Sequence, residues 1–93
     1  MTHTLNKERP ELAVMLAGAL AQSAISSLTM EEPGKPRTPL APRITDLPAL
    51  IRTAATGTKL RTPDGCTIAL TDSGCTITNP GRHLLQAVER FGR

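Results

Sequence analysis

GTKLRTPDGCTIALTDSGCTITNPG, residues 57–81, switches the chain from a helical period to a period of two. Short runs rich in threonine and isoleucine alternate there with Pro-Asp-Gly, Asp-Ser-Gly and Asn-Pro-Gly turns, which predicts a three-stranded antiparallel β-meander over residues 58–79. Alternation places Leu60, Cys66, Ile68, Leu70, Cys75 and Ile77 on one face, and Lys59, Arg61, Thr67, Ala69, Thr71, Thr76 and Thr78 on the other. The register must keep these sets apart, because a slip of one residue turns a whole strand over. A three-residue loop, Pro63-Asp64-Gly65, with Gly65 in the left-handed position, pairs Thr62 with Cys66 and Leu60 with Ile68. A second loop of three residues would mix the faces. A loop of two or four residues is expected instead, pairing Leu70 with Cys75 and Ile68 with Ile77. Cys66 and Cys75 are then offset by four residues along neighbouring strands, on the order of 13 Å. A disulfide needs Cα atoms within about 7 Å. The thiols are therefore expected to stay reduced as small core residues, and no metal or cofactor is expected.

Downstream, Asn79-Pro80 offers a capping side chain and a first-turn proline, and Leu84, Leu85, Val88 and Phe91 recur on one helical face. That helix should cover the apolar side of the sheet. Upstream, Asp46 caps a short helix with Leu47, Leu50, Ile51 and Ala54 on one side, ended by Gly57. Residues 33–48 hold Pro33, Pro36, Pro39, Pro42 and Pro48, a density that predicts a semi-rigid linker. Its Pro-x-x-Pro spacings make a docking peptide the functional alternative.

From Glu11 to Met30 the chain is rich in alanine and leucine and carries no charge after Glu11. Gly18, Gln22, Ser23, Ser26 and Ser27 interrupt it too often for a membrane span. A secretory signal ending at Ala21 is the minority reading, opposed by Glu8 and Glu11 where a basic region belongs. The stretch reads best as a helix whose apolar half holds Ala13, Val14, Leu16, Ala17, Leu20, Ala21, Ala24, Ile25 and Leu28, with Met15, Gln22, Ser23, Ser26 and Thr29 opposite. The four-residue spacing of Ala13, Ala17 and Ala21 admits a closely packed second helix. The partner expected there is a second copy of the chain, held through Ala13, Leu16, Ala17, Leu20, Ala21, Ala24 and Leu28.

The expected architecture is α+β. It comprises an oligomerisation helix (1–32), a proline-rich linker (33–48), and a small domain (49–93) of short helix, three-stranded meander and C-terminal helix packed on the sheet. Ninety-three residues with 39% hydrophobic content and Phe91 as the sole aromatic make a modest core, which favours oligomerisation. The net charge of +3 concentrates after residue 32 and is compatible with an anionic partner without requiring one. His3 lies in an expected disordered start and His83 on a polar helix side. No nucleophile, carboxylate pair, phosphate loop or metal-ligand spacing accompanies them.

A non-enzymatic, cytoplasmic interaction module follows, a homo-oligomeric accessory or inhibitory protein that binds a target protein. The alternative is an anion binder, for nucleic acid or a nucleotide, using Lys59, Arg61, Thr67, Thr76 and Thr78 with Arg52, Arg82 and Arg90. The lack of aromatics argues against base stacking on the sheet.

Overall fold

The computed structural model describes residues 2–23, 27–40 and 46–91. In chain order the elements are β1 (Thr2–Asn6), α1 (Arg9–Gln22), β2 (Leu28–Glu31), β3 (Thr38–Leu40), α2 (Leu47–Thr53), β4 (Lys59–Arg61), β5 (Thr67–Leu70), β6 (Gly74–Thr78) and α3 (Arg82–Phe91). The strands form one antiparallel sheet of six, in the order β1-β6-β5-β4-β2-β3. The α+β class holds, but the expected three-stranded meander is only the middle of the sheet.

Within that middle the register is as the turn chemistry requires. Leu60 pairs with Ile68, Ile68 with Ile77 and Leu70 with Cys75. In the first loop Gly65 has φ +94°, its N–H donates to the Thr62 carbonyl at 3.1 Å, and Thr62 N–H donates to the Cys66 carbonyl at 2.9 Å. The Thr62 hydroxyl accepts from the Cys66 N–H at 3.1 Å and donates to the Asp64 carboxylate, which holds the turn from inside. At the second loop Thr71 N–H donates to the Gly74 carbonyl at 2.9 Å, closing a two-residue turn of Asp72 and Ser73.

The other three strands come from segments with different expectations. The start of the chain forms β1, paired with β6. Gly74 is needed there for a close approach, since a Cβ at this position would collide with the Leu5 carbonyl oxygen. The single helix expected over 11–30 ends at Gln22, where the Ser23 hydroxyl donates to the Ala19 carbonyl at 2.7 Å, and the chain re-enters the sheet as β2. Ala24, Ile25 and Ser26 fall outside the described residues, as does Pro42 of the proline-rich segment.

Residues 33–40 of that segment are half of a hairpin, not a linker, and Asp46, Leu47 and Pro48 begin α2. Pro33 and Gly34 (φ +75°) turn the chain, with Lys35 N–H donating to the Glu32 carbonyl at 3.1 Å, and β3 then pairs with β2. Strand β3 takes Pro39, which removes the 36–39 spacing from use as a free polyproline ligand. A proline in the outermost strand costs no ladder bond if its nitrogen faces outward.

Helix α2 begins as expected, with the Asp46 carboxylate accepting from the Ala49 N–H at 3.2 Å, but it ends at Thr53 before an extended Ala54. Helix α3 starts at Arg82, after the expected cap. Asn79 adopts a left-handed φ of 53° that turns the chain out of β6, and the first helical bond runs from Leu85 N–H to the Gly81 carbonyl at 2.9 Å.

One core joins the layers. Leu12, Met15, Leu16, Ala19 and Leu20 of α1, Leu47 and Ile51 of α2, and Leu84, Ala87 and Val88 of α3 pack with Leu28, Leu60, Cys66, Ile68, Leu70, Cys75 and Ile77 of the sheet. Helix α1 is the central helix, contacting both α2 and α3, and α3 packs on α1 more than on the strands it was expected to cover. The face of α1 is also rotated from expectation. Met15 is 3% exposed and Val14 66% exposed, because the helix is clamped between two others and must bury Met15 toward one of them.

Candidate interaction face

Among the described residues the helices cover one face of the sheet and leave the other open. The register builds the open face row by row. Thr2, Thr78, Thr67, Arg61, Thr29 and Pro39 lie side by side across all six strands. The next row is Thr4, Thr76, Ala69, Lys59 and Glu31. Thr2, Thr4 and Lys59 are exposed and the others except Pro39 are half-buried by their neighbours. β-branched side chains held this way have little rotamer freedom, so the surface is stiff before anything binds.

Lys59, Arg61, Thr67, Thr76 and Thr78 of the expected ligand set thus share one face. Arg52, Arg82 and Arg90 do not join them, because they sit on α2 and α3 in the helical layer. Arg90 Nη1 donates to Gln22 Oε1 at 3.2 Å, across to α1. Thr2, Thr4, Thr29 and Glu31 belong to the open face and were absent from the expected set. The Thr-x-Thr spacing of Thr2 and Thr4 matches that of Thr76 and Thr78, a signal readable once residues 2–6 are taken as a strand.

The charges on this face are largely balanced in place. Glu31 accepts from Arg61 Nε at 3.2 Å and lies 3.4 Å from Arg37 Nε, and it stands opposite Lys59 in the ladder. Lys35 Nζ is 3.0 Å from Glu32 in the adjoining turn. Half-exposed pairs of this kind add little stability, but they cancel much of the field that would draw a phosphate.

Four of the residues expected to meet a second copy are used inside the chain. Ala13, Leu16, Leu20 and Leu28 are 0–2% exposed in the core, Ala17 is half-buried and Ala21 exposed. A secretory cleavage after Ala21 would remove β1 and most of α1, including buried Leu12, Leu16 and Leu20.

Two internal features carry chemistry without lying on a surface. Arg9 donates from Nη1 to the Ile51 and Ala54 carbonyls at 3.0 and 2.7 Å and from Nη2 to the Thr71 carbonyl at 3.3 Å. It ties the start of α1 to the end of α2 and to the turn after β5, and its charge suits the α2 C-terminus. Cys66 and Cys75 are free and buried. Burial pushes both thiols up to about 11, with nearby Asp64 adding to the shift of Cys66 and Arg9 partly opposing that of Cys75.

Among the described residues no group of three His, Cys, Asp or Glu side chains is placed to hold a metal ion, and no helix is long and apolar enough to cross a membrane. No protein-family model, curated protein or solved structure matches the chain.

Proposed function

We propose that this chain is a non-enzymatic protein-binding module that presents the open face of its sheet to a target protein, acting as an accessory or inhibitory protein. The observation that carries this reading is the stiff, threonine-rich face that α1, α2 and α3 leave uncovered among the described residues. Threonine offers a methyl group and a hydroxyl together, so such a face can bury apolar area and still satisfy polar groups on a partner. The pairing of Arg61 with Glu31 weighs against the anion-binding alternative, which needs those cations unspent.

The test is affinity capture from the native host with the wild-type chain and with Thr67→Glu/Thr76→Glu, both confirmed folded by thermal melting. A partner bound by the wild type and lost by the double variant, with modest sensitivity to salt, supports the reading. A partner retained by the double variant moves binding to another surface. Tight binding of DNA, RNA or nucleotides at low salt that collapses as salt rises replaces the reading with the anionic one.

A further inference from the structure

We infer that the β1 edge of the sheet is the site at which a second copy of this chain docks, through antiparallel β1–β1 pairing centred on Thr4. The inference concerns the sheet's edge and not its open face.

The hydrogen-bond phase of the ladder carries the argument. The bond from Thr71 N–H to the Gly74 carbonyl makes residues 71 and 74 a hydrogen-bonded pair. Alternation then directs the backbone groups of Gly74, Thr76 and Thr78 toward β5, and those of Cys75 and Ile77 toward β1. Their partners on β1 are Leu5 and His3, which therefore bond inward to β6. Thr2, Thr4 and Asn6 are left with their N–H and C=O groups directed away from the sheet. Among the described residues, β6 is the only element packed beside β1.

That set of groups is self-complementary. With Thr4 opposite Thr4 of a second copy, Thr2 falls opposite Asn6 and Asn6 opposite Thr2, so every outward N–H and C=O acquires a partner. Residues 2–6 carry no charged side chain, and two copies meet there without like-charge repulsion. On the helix side, half-buried His3 and Leu5 come opposite Leu5 and His3 of the second copy, which extends the cover over the core.

The other edge cannot compete. By the same alternation Pro39 stands at the outward position of β3, where it has no N–H to give. A molecule with one open edge forms a closed dimer and not a filament. A five-residue edge buries less than the roughly 1,200 Å² of a standard stable complex, so the dimer is weak and reversible.

Sedimentation equilibrium of the full chain over a wide concentration range tests this, together with amide exchange. The expected result is a reversible monomer–dimer equilibrium in which the Thr2, Thr4 and Asn6 amides slow as concentration rises, while His3 and Leu5 are protected throughout. Thr4→Pro removes an outward N–H and spares the β6 ladder, and it should weaken dimerisation at least tenfold with native far-UV circular dichroism. If that variant misfolds, Thr4→Lys decides, because it sets two like charges opposite each other at the two-fold axis.

A chain that stays monomeric at every concentration overturns the inference. So does a dimer whose Thr2, Thr4 and Asn6 amides exchange as in dilute solution, or one that Thr4→Lys leaves intact.

Discussion

Pro39 stands at the outward-facing position of the last strand on one side of the sheet, and Thr4 is the central outward-facing residue of the last strand on the other. The β3 edge is three residues long, lacks a donor at its centre and follows the ion-paired turn of Glu32 and Lys35. The β1 edge is five residues long, uncharged, and keeps every backbone group. Proteins usually blunt an exposed edge with proline, charge or shortness. Here one edge carries such a device and the other does not, and this contrast separates a closed boundary from a docking site. The two sides also differ in how they are held. Strand β3 is attached through a local hairpin, whereas β1 reaches β6 across most of the chain's length.

The sharpest way to break the comparison is to remove β1 from the sheet. Gly74→Val places a branched side chain against the Leu5 carbonyl and should cost on the order of 3 kcal/mol or more in urea unfolding, with loss of amide protection in residues 2–6. Arg9→Ala strips the tie that follows β1 and leaves three carbonyls without their donor. A loss of about 2–3 kcal/mol is expected, and Arg9→Lys should recover less than half of it, since an ammonium cannot span the same fork.

Raising the pH probes the same side through Cys75, which pairs with Leu5. Its thiol lies at about 11 in the fold against an ordinary value of 9.0, so the native state keeps a proton that the unfolded chain releases. Stability should be intact below pH 9 and fall between pH 9 and 11, and Cys75→Ala should remove about half of that fall from the urea midpoint profile, the rest belonging to Cys66, which is shifted likewise.

On the β3 side the effects should be smaller. Gly34→Ala puts a side chain at φ +75° in open space, at a cost of about 1 kcal/mol confined to the amides of β2 and β3. Pro39→Thr should change stability by less than about 0.5 kcal/mol while opening the second edge. Size-exclusion chromatography should then show species larger than a dimer. An unchanged elution profile would mean that shortness, and not proline, closes that side.

Much of the middle of the sheet was legible in the sequence. Turn residues with special backbone demands, Gly65 above all, fix which residues can face each other, and the alternation of Ile68, Leu70, Cys75 and Ile77 leaves one register that buries them together. The open face was half legible for the same reason, through Lys59, Arg61, Thr67, Thr76 and Thr78. Its other half was hidden because Thr2 and Thr4 lie in a strand whose partner is distant in the chain, with no turn to set the register, and Thr29 and Glu31 follow an apolar run that reads as helix. The stretch Glu11–Met30 misled because one apolar run contains a helix, a break and a strand. The polar residues Gln22, Ser23, Ser26 and Ser27 run from the end of α1 to the start of β2, but their spacing also fits the polar side of one continuous helix.

Residues close in the chain thus settled the hairpins β4–β5 and β5–β6, the cap of α2 and the burial of both thiols, since turn geometry and side-chain alternation act over a few residues. The attachment of β1 to β6 and the three-way grip of Arg9 join residues 42 to 76 positions apart, and the place of α1 between α2 and α3 likewise joins distant parts of the chain. Such contacts exist only once the whole core has closed around them, which is why tertiary packing decided that the apolar helix serves its own fold and that the edge at Thr4 stays open.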